Sequence, residues 1–91
     1  MKTIRKYKLE VCGRQEIEVP SGTEVLSLAV QGNDPYIWVL IPETEKRRKE
    51  TLVIVSYMTG HKIPQPVYSN QFLGTCQLKG NFTFHVFYNI V

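Results

Sequence analysis

The stretch QFLGTCQLKGNFTFHVFYNIV, residues 71–91, decides the fold of this chain. Residues 72–78 and 82–88 each alternate with a period of two and are rich in aromatic and β-branched side chains. Between them, Lys79, Gly80 and Asn81 make a short connection that contains glycine. These signals predict a β-hairpin. Because a lone hairpin is marginal in water, we expect the preceding residues to form strands that cover its apolar side.

Five further segments with strand patterns precede this hairpin. They are residues 3–11, 15–19, 25–31, 36–41 and 52–58. Clusters of Gly, Pro, Ser, Asn and Asp at residues 20–23 and 32–35 predict turns between them. Seven short strands with no convincing helix predict an all-β fold, either a small antiparallel β-sandwich or a partly open barrel. We expect residues 1–91 to form a single domain.

The strand patterns also predict pairing and burial. The first two strands are expected to form a hairpin whose wet face pairs lysines with Glu16 and Glu18. In residues 25–31, Leu26, Leu28 and Val30 are expected to share the apolar face. Residues 36–41 are apolar on both faces, which is typical of the centre of a sheet or of a subunit interface. Tyr36 and Trp38 of that strand could stack a nucleobase, but core packing is the preferred interpretation.

Composition and net charge limit the class of protein to which this chain can belong. The chain of 91 residues has a net charge of +3, which favours anionic partners but falls short of a dedicated DNA-binding protein. No apolar run approaches the roughly 20 residues that cross a bilayer, and residues 1–6 lack the apolar core of a secretion signal. We therefore expect a cytosolic protein in which Cys12 and Cys76 are free thiols.

No combination of residues predicts catalysis or a metal centre. Asp34 is the only aspartate and precedes a proline in a predicted turn, and no nucleophile or glycine-rich phosphate loop has a recognisable signature. A zinc site built from Cys12, His61, Cys76 and His85 would need four separate strands to converge. We expect a protein that is not an enzyme and that has neither a metal nor another cofactor.

The segment of residues 59–66 offers groups that bind an anion. A hydroxyl (Thr59), a glycine that lets a ligand approach the backbone (Gly60), an imidazole (His61) and an ammonium (Lys62) follow one another. These four residues are candidate ligand contacts, although a plain connecting loop would have a similar composition.

Two other elements add candidates. Arg47 and Arg48 belong to a cationic cluster, residues 46–49. This cluster lies inside a polar segment, residues 43–50, that is expected to be a surface loop. The cluster either binds a ligand or is simply solvated. His85 is expected on the strand face opposite Phe84 and Val86, where it is either a ligand contact or a histidine satisfied by protein partners.

Several segments together resemble a family of small bacteriophage and prophage proteins of unknown function. They are residues 1–4, 16–22, 36–38, 59–64, 72–75 and 84–87, of which Gly-His-x-Ile-Pro at 60–64 and Phe-His-Val-Phe at 84–87 are the most specific. The resemblance implies a phage origin and a small β-fold. It implies no site residues, because the family has no established catalytic motif, and residues 46–49 depart from its pattern.

The leading hypothesis is a non-enzymatic phage protein that inhibits host defence by sequestering an anionic, nucleotide-like signalling molecule in the cytoplasm of the infected bacterial cell. We expect a homo-oligomer, because residues 82–91 read as an uncharged, exposed edge strand. The alternative is a module that binds a host defence enzyme or a phage structural component through an edge strand. Nucleic acid is a less favoured partner, through residues 46–49.

Overall fold

The computed structural model describes residues 1–10, 13–43, 47–63 and 71–91. These residues form seven strands and no helix. The strands are β1 (Lys2–Lys8), β2 (Gly13–Pro20), β3 (Glu24–Gln31), β4 (Asp34–Pro42), β5 (Lys49–Met58), β6 (Gln71–Leu78) and β7 (Phe82–Ile90). None of the described residues belongs to a helix that could span a membrane.

The seven strands form two antiparallel sheets that pack face to face. A three-stranded sheet has the order β1-β4-β3, and a four-stranded sheet has the order β2-β5-β7-β6. The sheets do not close into a barrel, so of the two predicted all-β architectures the chain adopts the sandwich. The core lies between the sheets, and its fully buried side chains include Ile37 and Val39 of β4, Leu52 and Ile54 of β5, and Val86 of β7.

The predicted C-terminal hairpin is confirmed. β6 pairs with β7 from Gln71 opposite Tyr88 to Leu78 opposite Phe82. The connection uses positive φ at Gly80 (85°) and Asn81 (65°), a conformation that glycine and asparagine tolerate better than other residues. Phe84 and Val86 are buried, as the period of two predicts.

The predicted hairpin between the first two strands is wrong. β1 pairs with β4 in one sheet and β2 pairs with β5 in the other. After β1 the chain enters the core, where Leu9 is 4% exposed and its backbone N–H donates to the Pro35 carbonyl oxygen (2.9 Å). The chain therefore crosses from one sheet to the other instead of turning back on itself.

The predicted edge is also wrong, because β7 is an interior strand with β5 on one side and β6 on the other. The edges are β1 and β3 in the three-stranded sheet, and β2 and β6 in the four-stranded sheet. β5 begins at Lys49, so the last two residues of the predicted surface loop belong to a strand. The predicted end of the first strand at Val11, and residues 44–46 of the charged loop, lie outside the described residues.

Two predictions of burial need correction. A register shift between Val25 and Ser27 leaves Leu26 unpaired and 45% exposed, so Val25 takes its place against the core beside Leu28 and Val30. β4 is the centre of its sheet, as its sequence suggests, but only one of its faces is in the core. Tyr36 and Trp38 lie half-buried on the outer face, which rules out the core packing predicted for them.

Candidate ligand-binding site at the end of β5

The predicted anion-binding residues begin where β5 ends. The His61 backbone N–H donates to the Met58 carbonyl oxygen (3.1 Å), which closes a four-residue turn. Gly60 occupies the third position of this turn with a φ of 89°, as a type II turn requires. Thr59, Gly60, His61 and Lys62 are all exposed. A Cβ added at Gly60 would meet no atom of the described residues within 4 Å, so none of these residues blocks a ligand from the turn backbone.

His85 joins this turn to the sheet. Its Nε2 lies 2.7 Å from Thr59 Oγ1, and its Nδ1 lies 3.0 Å from Thr75 Oγ1 on β6. The tautomer of His85 decides which threonine hydroxyl donates to the ring and which accepts from it. The Thr59 backbone N–H also donates to the Thr83 carbonyl oxygen (3.1 Å). These contacts hold the start of the turn against β7.

An aromatic row lies beside this cluster on the outer face of the four-stranded sheet. The Phe87 ring centroid lies 6.2 Å from that of Tyr57 and 5.4 Å from that of Phe72. None of the three belongs to the core cluster, and Phe72 is 59% exposed. The sequence pattern does not reveal this row as a unit. Alternation places Phe87 on the face of His85, but only the pairing of β5, β7 and β6 brings Tyr57 and Phe72 to it.

Arg47 and Arg48 lie at the opposite end of the sandwich. They precede β5, whereas Thr59 to Lys62 follow it, and a strand of 10 residues spans about 33 Å. The Arg47 Nη1 donates to the Ser21 carbonyl oxygen (3.3 Å), and the Ser21 N–H donates to the Arg48 carbonyl oxygen (2.7 Å). The two groups of predicted ligand residues are therefore separate, and Lys46 lies outside the described residues.

The geometry does not assemble the zinc site that the sequence analysis considered. Cys76 is buried in the core at 6% exposure, whereas His85 lies on the outer face of the same sheet. Within the described ranges, no group of three or more His, Cys, Asp or Glu side chains could hold a metal ion, and Cys12 falls outside those ranges. Burial raises the pKa of the Cys76 thiol, which disfavours the thiolate that a metal would need.

Two clefts that are lined by described residues lie elsewhere on the protein. A cleft of about 410 Å³ is lined by Thr23, Glu24, Val25, Gln71, Tyr88, Asn89 and Ile90. A cleft of about 380 Å³ is lined by Lys8, Leu9, Glu10, Asn33, Asp34, Pro35 and Leu78. The turn after β5 contributes to neither of them. Among the described residues, the candidate site is formed by a turn and the adjoining face of a sheet.

A family model described as Domain of unknown function (DUF7352) matches residues 1–91. The chain belongs to this family. No curated protein and no solved structure matches the chain. The DUF7352 description assigns no activity, so the function of this member has to be inferred from its geometry.

In this DUF7352 member, the turn after β5 carries the Thr59 hydroxyl, the His61 imidazole and the Lys62 ammonium. Thr59 contacts His85 on the outer face of the four-stranded sheet, and the exposed ring of Phe72 lies on the same face. Hydroxyl and ammonium groups are donors to phosphate oxygens, and aromatic rings stack nucleobases. The arrangement can bind a ligand that is anionic at one end and aromatic at the other.

Proposed function

We propose that this protein is a non-enzymatic, phage-encoded binding protein that sequesters an anionic, nucleotide-like signalling molecule in the cytoplasm of the infected bacterial cell and so inhibits host defence. The observation that carries the proposal is the cluster of Thr59, His85 and Thr75 on the same outer sheet face as the exposed ring of Phe72. The resemblance to phage proteins supports the phage origin. The backbone at Gly60, which no described residue blocks, supports binding of the anionic group.

Each part of the ligand has a matching group. Lys62 and His61 follow the turn and are exposed, so both can reach a phosphate without a burial cost. Phe72 offers an exposed ring at the end of the aromatic row, and base stacking on such a ring is worth about 1–3 kcal/mol. Thr59 and Thr75 already bond to His85, so they orient its imidazole and leave it to contact the ligand through its ring face.

A homo-oligomer remains part of the proposal, but the contact strand changes from β7 to β6. β6 is an edge strand with no charged residue, whereas β1, β2 and β3 each carry at least one. Uncharged edges pair readily with another chain. Pairing of β6 with a second copy would place Thr75 and Phe72 beside the subunit contact, which supports a ligand site at the subunit boundary.

Calorimetric titration with ATP, ADP-ribose and a cyclic dinucleotide tests the binding. At least one of these probes is expected to bind saturably, and Lys62→Ala or Phe72→Ala is expected to weaken it about tenfold, as loss of ~1.4 kcal/mol implies. Lys49→Ala is the matched control, because Lys49 is an exposed lysine at the other end of β5, 3.4 Å from Glu18. Absence of binding by all three probes, or equal loss in Lys62→Ala and Lys49→Ala, would overturn the proposed site.

The uncharged edge of β6 also favours the alternative, a module that adds this strand to a host defence enzyme or a phage structural protein. A pull-down from infected cells distinguishes the two functions. A protein complex that survives nuclease and high salt, and that Phe72→Lys abolishes while Lys62→Ala leaves intact, would favour the interaction module over sequestration.

A further inference from the structure

A second aromatic pair lies on the outer face of the other sheet. The ring centroids of Tyr36 and Trp38 on β4 are 6.3 Å apart, and both side chains are half-buried outside the core cluster. β4 is the central strand of three, so this pair lies in the middle of the outer face of the three-stranded sheet. It lies on a different sheet from Lys62 and His85.

A lysine is fixed next to this pair. Lys6 of β1 lies directly opposite Trp38 in the strand register. Its Nζ lies 4.5 Å from the Tyr36 ring centroid and donates to Gln31 Oε1 (3.0 Å). A cation over an aromatic face is attracted by the ring quadrupole. The ammonium is therefore held at the aromatic pair, with donors left over for an anion.

The two flanking strands differ in a way that leaves the indole accessible. On the β3 side, the partners of Trp38 and Tyr36 are the small residues Ser27 and Ala29. On the β1 side, the partners are Lys6 and Lys8. Ser27 and Ala29 are too small to cover the rings from the β3 side, and Lys6 and Lys8 place positive charge on the β1 side.

The charge of β1 favours a polyanion. The strand contains Lys2, Arg5, Lys6 and Lys8 and no acidic residue, and all four cations are exposed. Lys8 is partly neutralised by Asp34, whose Oδ1 lies 3.7 Å from its Nζ. Lys2 and Lys6 share the outer face with Trp38, because same-face residues in a strand are two apart. A phosphate chain along β1 would thus run beside the aromatic pair.

We infer that the outer face of the three-stranded sheet binds single-stranded nucleic acid, with Trp38 stacking a base and Lys6 contacting a phosphate. Unpaired bases are required, since bases within a duplex cannot lie flat on an aromatic side chain. This function goes beyond the proposed sequestration and does not depend on it. The sequence analysis made nucleic acid a less favoured partner, bound through residues 46–49, and it preferred core packing over base stacking for Trp38.

Tryptophan fluorescence tests the inference directly, because Trp38 is the only tryptophan. An oligodeoxythymidylate of about 12 nucleotides, within the ~4–16-nucleotide footprints of single-strand binders, is the probe. We expect saturable quenching. If Lys2 and Lys6 each neutralise a phosphate, log K should fall against log salt with a slope of about −1.4, and Lys6→Ala should reduce that slope by about 0.7.

Trp38→Ala is expected to lower the affinity about 5- to 150-fold, measured by anisotropy of a labelled oligonucleotide. Trp38→Phe should restore part of it, since the smaller ring still stacks. Lys79→Ala is the matched control and should leave affinity and slope unchanged, because Lys79 is an exposed lysine in the turn between β6 and β7 of the other sheet. Circular dichroism of each variant checks that the fold is retained.

Three results would overturn the inference. The first is no quenching at low salt. The second is equal quenching by an abasic oligonucleotide, which would mean that no base stacks on Trp38. The third is equal quenching by polyglutamate, which would mean that this face binds acidic protein segments and does not select nucleic acid. Oligonucleotide binding by the Lys62→Ala variant would show that this face acts independently of the proposed sequestration site. If no nucleotide probe binds at the turn after β5, the oligonucleotide should still quench Trp38.

Discussion

Ile54 and Ile4 provide a matched test of the two-sheet packing. Both are isoleucines in strands, but Ile54 on β5 is 1% exposed in the core, whereas Ile4 on β1 is 59% exposed, opposite Leu40. Replacing a fully buried isoleucine by alanine costs about 2–5 kcal/mol, because apolar contact is lost and a cavity remains. Surface substitutions usually change stability by less than about 0.5 kcal/mol. Ile54→Ala should therefore destabilise the protein several times more than Ile4→Ala.

The stability loss expected for Ile54→Ala is large for a domain of this size. At about 0.05–0.15 kcal/mol per residue, 91 residues give a free energy of unfolding of roughly 5–14 kcal/mol. Each kcal/mol lost lowers Tm by about 4–8 °C in a domain of this length, so Ile54→Ala should lower Tm by roughly 8–40 °C. Ile4→Ala should shift Tm by no more than about 4 °C.

Urea unfolding followed by circular dichroism and by Trp38 fluorescence measures both variants. Equal m-values with a lower midpoint for Ile54→Ala would show a loss of native-state stability. Sliding β1 by one residue would turn Ile4 toward the core, because side chains alternate along a strand. Equal losses for the two variants, at concentrations where the protein is monomeric, would therefore refute the assigned register.

Three other predictions concern the outer face and the core thiol. Thr59→Val should lower the free energy of unfolding by about 1 kcal/mol, measured by urea titration. A double-mutant cycle with His85→Ala should give a coupling energy of at least ~0.5 kcal/mol. If the stability losses of the two single variants simply add in the double variant, the 2.7 Å contact between Thr59 and His85 is contradicted. Phe72→Lys should dissociate an oligomer that forms through β6, as sedimentation velocity would detect, and an unchanged assembly would exclude that edge. Burial raises the pKa of Cys76, so its contribution to stability should be complete below about pH 8.5 and decline as the pH rises further; a Cys76→Ala variant with the same alkaline slope would contradict this.

The candidate site was predictable in its parts but not as an arrangement. The glycine and the prolines of the segment predicted a loop at residues 59–62, and the structure confirms it. The alternation of side chains along the last strand predicted that His85 lies on the face opposite Phe84, which is also confirmed. The contact between Thr59 and His85 depends on the pairing of β5 with β7, in which Tyr57 lies opposite His85. That pairing joins residues far apart in the chain, so no local pattern encodes it. The separation of Arg47 from Lys62 follows from the length of β5.

The sequence by itself determined the strands and most of their faces, because a period of two and the glycine turns are local properties of the chain. It also determined the β6–β7 hairpin, whose strands are joined by three residues. The tertiary structure decided which distant strands pair, since β1 lies next to β4 and β2 next to β5. Leu9 is buried between the sheets, at the point where the chain crosses from one sheet to the other. The spacing of apolar residues in the sequence does not predict this crossing. The same packing exposes Trp38, because β4 has a second sheet on only one side.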